Sequence, residues 1–196
     1  MKYGELQLLA FVDFSKAFDT IAHDTLIMKM NQQGVSKEFL SSTTSCFTSH
    51  KQFAQIAASS SDSLSTKFGV PQGFILGPMI FNLYVNDLQN HFKSSSVQYA
   101  DHPTIYETCK PKEIQKAQYL LNKSLAKVTD WTNNNSLAAN AIKTKYILYA
   151  SNRLYDFHQL KDQEIGITVG STKLKLDKKA RYLGVYLDPH LTRKAI

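Results

Sequence analysis

Asp13 closes an apolar run, residues 8–12, and Asp101 opens the turn-forming stretch Asp101-His102-Pro103, 88 residues further on. A carboxylate at the end of a buried strand and a second at a hairpin tip can project from one edge of a sheet. Oxygen ligands so placed suit magnesium, which keeps waters and binds through one or two carboxylates together with substrate phosphates. A pair of such ions about 4 Å apart activates an attacking oxygen and stabilises a leaving one in phosphoryl transfer. Taken singly, each residue has an ordinary alternative, Asp13 as a helix cap and Asp101 as a turn former. Residue type alone leaves both open.

The elements that would hold these groups follow from pattern. The unbroken apolar character of residues 8–12 predicts a central rather than an edge strand. Helices are expected over 23–33 and 37–47, with Gly34 as the stop between them. Residues 52–57 read as a strand and 59–65 as a serine-rich loop. Gly69-Val70-Pro71-Gln72-Gly73 concentrates turn formers, and Pro78 before the apolar run 79–85 marks a buried helix. A small hairpin is expected from strand 97–100 through a turn at 101–103 to strand 104–106. Residues 112–131 have helical periodicity, 146–149 read as a strand, 165–169 and 173–176 flank Gly170-Ser171 as a hairpin, and 181–187 read as one further strand. The alternation lacks the rhythm of a doubly wound sheet. The expected class is α+β, with helices packed on one face of a mostly antiparallel sheet.

With 43% hydrophobic and 20% charged residues, the 196-residue chain has the composition of one globular domain with a real core. Cys46 and Cys109 stand far apart with no metal-ligand spacing, so neither a disulfide framework nor a structural zinc site is expected. That points to an intracellular setting, nuclear or cytoplasmic, rather than secretion. The most apolar stretch, 74–85, falls short of the roughly 20 residues needed to cross a bilayer, so no membrane partner is expected. The net charge of +7 is unevenly spread: residues 1–109 carry seven basic and nine acidic groups, residues 110–196 sixteen and seven. An acidic metal site beside a lysine-rich track for a phosphate backbone would look like this, and so would a solvated basic surface.

Five segments occur in a fixed order. They are Phe11-Val12-Asp13-Phe14-Ser15-Lys16-Ala17-Phe18-Asp19; Gly69-Val70-Pro71-Gln72-Gly73 with Leu76-Gly77-Pro78; Tyr99-Ala100-Asp101; Asn140 with Lys143-Thr144; and Tyr182-Leu183-Gly184-Val185. Each is weak by itself. As an ordered set they resemble the palm motifs of reverse transcriptases of non-LTR (LINE-type, jockey-like) retrotransposons, from about residue 7 to the end of the chain. The resemblance implies an RNA-directed DNA polymerase, a nucleotidyltransferase that uses RNA template, DNA primer and dNTPs, with two Mg2+ ions and Mn2+ as a substitute; it implies no protein partner. It implies a single domain fragment over 1–196, the palm with the start of the connection to the thumb, the N-terminal fingers and the thumb lying outside it.

By the same resemblance Asp13, Asp101 and the backbone carbonyl of Phe14 hold metal. Phe18 is the aromatic gate against a ribose 2′-hydroxyl, and Gln72 and Gly73 line the nucleotide pocket. Lys143 is the general acid toward pyrophosphate, and Leu183 and Gly184 grip the primer end. Plain core packing for Phe18 and simple exposure for Lys143 stay open beside these roles.

The sequence departs from the family where the second aspartate of the turn is expected. His102 stands there, with Pro103 behind it in place of threonine. An imidazole is a poor magnesium ligand, better suited to manganese or zinc, and removes a negative charge from a site for two dications. Pro103 fixes φ, deletes an N–H and restricts the residue before it. Phe74, His50 and Cys46 are further departures. Three readings follow: a polymerase, a noncatalytic palm that binds nucleic acid, and a metal-dependent phosphodiesterase. The match at Phe18 and Gln72 speaks against the last, since a nuclease needs no sugar gate. Between the other two, His102 decides.

Overall fold

The computed structural model describes residues 4–48, 50–71, 73–158, 160, 165–177, 179–182 and 185–189. The chain divides into two compact units, one of residues 1–15, 88–133 and 138–196, the other of residues 16–87 and 134–137.

The first unit is built on a four-stranded antiparallel sheet. In chain order the elements of the whole chain are β1 (Leu6–Phe11), α1 (His23–Gln32), α2 (Lys37–Thr48), β2 (Lys51–Gln52), β3 (Gln55–Ile56), β4 (Ser59–Ser60), β5 (Leu64–Ser65), α3 (Gly77–Val85), β6 (Ser95–Tyr99), β7 (His102–Cys109), α4 (Ile114–Asn134), β8 (Lys145–Tyr149), α5 (Asn152–Phe157), β9 (Thr168–Val169), β10 (Thr172–Lys173), β11 (Ala180–Tyr182) and β12 (Val185–Leu187). The main sheet runs β6-β7-β1-β8. β1 is central, as its apolar run predicts, with Leu8 opposite Glu107 on one side and Leu148 on the other.

Opposing residues share a face. Leu6, Leu8 and Ala10 are fully buried, whereas Leu9 and Phe11 on the other face are half-buried and pack with Ile147 and Tyr149. The alternation is that of an antiparallel sheet with one closed and one more open face. Asp13 continues the odd-numbered series toward the open face. α4 buries Ile114, Ala117, Leu121, Leu125 and Val128, a stripe at helical spacing. From the same helix Gln118 and Asn122 donate to the Gly166 carbonyl at 3.2 and 2.7 Å.

The second unit is held by α1, α2 and α3. Lys29 on α1 is buried, and its ammonium donates to the Tyr84 carbonyl at 2.9 Å and to Asp87 Oδ1 at 2.6 Å. Tyr84 in turn donates its hydroxyl to the Asn135 carbonyl at 2.7 Å. Pro78 lies in the first turn of α3, where its missing N–H costs nothing.

Four expectations need correction. The hairpin turn is Ala100-Asp101, not 101–103, because Tyr99 pairs with His102 and Gln98 with Pro103. Pro103 is accommodated inside β7: its carbonyl accepts from Val12 N at 3.0 Å, and only the reciprocal donation to β1 is lost. Residues 52–57 and 59–65 are not a strand and a loop but two-residue ladders, β2 with β5 and β3 with β4, all exposed. Without a buried face, no period marks them. The strand expected over 181–187 is two, β11 and β12, with Tyr182 opposite Val185. The 165–176 hairpin shrinks to β9 and β10, since the Ile165 and Gly166 carbonyls are taken by the Tyr146 hydroxyl and by α4. Helix α5, capped by Ser151 Oγ, was not expected.

Candidate active site

β1 delivers Asp13 just past its last paired residue, and the backbone there is fixed on both sides. Asp13 N donates to Thr144 Oγ1 at 3.2 Å, and the Asp13 carbonyl accepts from Asn140 N at 2.7 Å. Phe14 forms an isolated bridge with Ala139. The bonds that flank it run from Ser15 N to Ala138 O and from Asn140 N to Asp13 O, so the Phe14 carbonyl takes no part in the bridge. It is the carbonyl that the resemblance assigns to a metal.

The 140–144 segment then returns a lysine to the aspartate. Asn140 Oδ1 accepts from the backbone of Ile142 and Lys143 at 3.1 and 3.2 Å, an Asx-type turn. Thr144 closes it by donating to the Asn140 carbonyl at 2.8 Å. Lys143, 70% exposed in its side chain, ends with Nζ 3.9 Å from Asp13 Oδ2. That is ion-pair distance but not a hydrogen bond.

The β6–β7 hairpin brings Asp101 and His102 to the same place. The imidazole lies between the carboxylates, Nδ1 3.9 Å from Asp13 Oδ1 and Nε2 3.7 Å from Asp101 Oδ1. The two ring nitrogens face different carboxylates. Among the described residues no three His, Cys, Asp or Glu side chains gather as ligands of one metal. An ion here would therefore draw on the two aspartates, the Phe14 carbonyl, substrate phosphates and water, the ordinary shell of magnesium.

The residues fit such an ion in one respect. Asp13 Oδ2 is buried and without a hydrogen-bond partner, a costly state for a carboxylate oxygen unless something cationic completes it. Thr104 Oγ1 and Tyr149 Oη are likewise buried and unsatisfied. By the strand register all three lie on the open face of the sheet.

In the second unit Phe18 is half-buried, with its ring centroid 4.9 Å from that of Phe81. One side of the ring is thus core packing, and the gate role rests on the other. The chain crosses close by: Val70 N donates to the Phe18 carbonyl at 2.9 Å and Gly69 N to Ile21 O at 2.8 Å. Gly69 has φ +88°, and a Cβ there would come within 3.1 Å of the Asp19 carbonyl, so no other residue type fits without strain. Gly73 also has positive φ. Gln72, Leu183 and Gly184 lie outside the described residues.

The sequence named Asn140 and Thr144 as motif members but gave them no task. Both tie the backbone of Asp13, and the Asn-x-x-Lys-Thr spacing, an Asx turn ending in a buried threonine, was the available signal.

Helices combined with an antiparallel sheet of order β6-β7-β1-β8 form an α+β fold of the polymerase-palm kind. A structure of telomerase from Candida tropicalis in complex with the TWJ fragment of telomeric RNA shares the fold, with TM-score 0.62 and 11% identity over 96% of this chain and 29% of that one. Residues 1–187 match the family described as Reverse transcriptase (RNA-dependent DNA polymerase). The chain belongs to the reverse transcriptase family. Relatives include the RNA-directed DNA polymerase from mobile element jockey of Drosophila melanogaster, 25% identical over 98% of this chain, and the probable RNA-directed DNA polymerase from transposon BS of the same fly, 26% identical over 93%. The chain spans about a fifth of the length of these relatives (21% and 20%). The likeness to non-LTR retrotransposon enzymes read from the ordered motifs is thereby borne out. Among the described residues no helix is long and apolar enough to cross a membrane.

Proposed function

We propose that residues 1–196 are the palm portion of an RNA-directed DNA polymerase that adds dNTPs to a DNA primer on an RNA template, with weakened use of magnesium. The single observation that carries this is the buried Asp13 Oδ2, which lacks a hydrogen-bond partner and has Lys143 Nζ 3.9 Å away, with Asp101 linked to Asp13 across the His102 ring. Asp13, Asp101 and the Phe14 carbonyl would hold two Mg2+, or Mn2+ in its place. When bound, such ions activate the primer 3′ oxygen and neutralise charge on the phosphates. By the resemblance Lys143 would give a proton to departing pyrophosphate. Phe18 would exclude a 2′-hydroxyl, Gln72 and Gly73 would line the nucleotide pocket, and Leu183 with Gly184 would grip the primer end.

A second reading has an observation of its own. The His102 ring fills the gap between the aspartates and supplies no second carboxylate, which favours a palm that binds nucleic acid without turnover. Primer extension separates the two. On an RNA–DNA primer-template the native chain is expected to bind with a marked salt dependence and to add a first dNTP only slowly, better in Mn2+ than in Mg2+. His102→Asp with Pro103→Thr should raise single-nucleotide addition in Mg2+ about tenfold or more, without giving processive synthesis, since fingers and thumb are proposed to lie outside the chain. No addition by either form in either metal would leave the binding-only reading. No primer-template binding at low salt would overturn both.

A further inference from the structure

α4 carries a charge pattern that the catalytic site does not use. Between Glu113 before its start and Asp130 in its last turns, residues 114–129 hold Lys116, Lys123 and Lys127 and no acidic residue. At 3.6 residues per turn the three lysines fall within about 40° of one another on the helix surface, about 10 Å and then about 6 Å apart along its axis. All three are exposed. Among the described residues Lys127 pairs with Asp130 Oδ2 at 3.7 Å, a pair open to solvent, and Lys116 borders a shallow pocket with Glu107 and Glu113 without an ion pair to either. Tyr119 lies beside the row between Lys116 and Lys123 and is 63% exposed, the wrong place for an aromatic ring with no task. The opposite face of the helix is buried along its length, so this face is rigidly presented.

We propose that the Lys116, Tyr119, Lys123 and Lys127 face of α4 is a second nucleic-acid contact that binds an unpaired RNA strand. Phosphates recur along a single strand at about the spacing of the lysines, and a solvent-exposed ring among cations is what a splayed base stacks on. A duplex offers no free base face to Tyr119, and an acidic protein surface would have no use for the ring. RNA rather than DNA is assigned because the proposed template is RNA; the inference rests on that reading.

The test is fluorescence anisotropy of the intact chain with an unstructured RNA 20-mer, an unpaired DNA of the same sequence, a blunt RNA–DNA duplex and a polyglutamate peptide. Lys116→Gln/Lys123→Gln/Lys127→Gln together are expected to weaken RNA binding more than tenfold and to lower the salt slope by about two. Tyr119→Ala should cost about tenfold on the single strand and nothing on the blunt duplex. Unchanged far-UV circular dichroism and thermal midpoint show that the variants fold. RNA binding equal to that of the native chain in the triple variant overturns the inference and leaves the polymerase reading intact. Polyglutamate or unpaired DNA bound more tightly than RNA overturns the assignment to RNA. Absence of all nucleic-acid binding by the native chain overturns both.

Discussion

Two charged side chains in this chain sit largely out of water, and they are treated in opposite ways. Lys29 in the second unit has its ammonium against Asp87, the Tyr84 carbonyl and the face of the Tyr84 ring, whose centroid is 5.1 Å away. Burial still holds its pKa below the ordinary lysine value, with the Asp87 carboxylate opposing that shift. Asp13 in the first unit has one carboxylate oxygen with no hydrogen bond, and the Lys143 ammonium and a His102 ring nitrogen each stand 3.9 Å from its carboxylate. A buried charge that is completed within the protein fastens elements together. One that is left incomplete is available to something else. The contrast separates a charge completed inside the fold from one that is not, without reference to any relative.

The sharpest way to break the comparison is to remove the completed charge. Lys29→Ala should lower stability in urea by about 3 kcal/mol, because it takes the ammonium donor from the buried Tyr84 carbonyl and opens a cavity. A loss below about 1 kcal/mol would show that the pair is ornamental. For the incomplete charge the sign should reverse. Asp13→Asn, measured with chelator present, is expected to raise stability by about 2 kcal/mol, since an unsatisfied carboxylate is removed. The same variant should lose Mn2+ binding by paramagnetic resonance. Destabilisation would mean that Asp13 is completed after all.

The smallest effect sharpens the rule for a neutral group. The Tyr149 hydroxyl is buried without a partner and its pKa is pushed up to about 12, by burial first and then by nearby Asp188. The raised value favours the protonated hydroxyl in the fold. Its contribution is therefore complete below pH 10 and is lost as pH climbs from 10 to about 12. Tyr149→Phe should gain about 1 kcal/mol at pH 8 and show a shallower loss of urea midpoint between pH 10 and 12. Parallel curves for the two proteins would count against the assignment.

Much of this arrangement could be read before the fold was known, and the reasons are specific. β1, α1, α2 and β8 were placed within two residues and α4 within three because each buries a face, and burial imposes a period on sequence. Asp13 at a strand end and Asp101 at a hairpin tip were expected at one sheet edge, and His102 lies within 4 Å of both, with Lys143 3.9 Å from Asp13. What was not legible depends on pairing rather than pattern. The serine-rich ladders between β2 and β5 have no buried side to betray them. The turn sits one residue earlier than its proline suggested because Pro103 turns its missing donor toward the end of β1, where only one bond is lost. Nothing in residue type said that the His102 ring would lie between the carboxylates, or that Thr144 would hold the amide of Asp13.

Pro103 has a wider consequence. Its carbonyl still receives Val12 N, Gln98 still faces it, and the register from Tyr99 to Ser95 runs on undisturbed. His102 and Pro103, the residues that depart from the family pattern, therefore sit inside β7 with the register of the sheet kept. The backbone of this sheet thus tolerates a change of side chains at its edge, and its shape carries no information about turnover, which depends on those side chains alone.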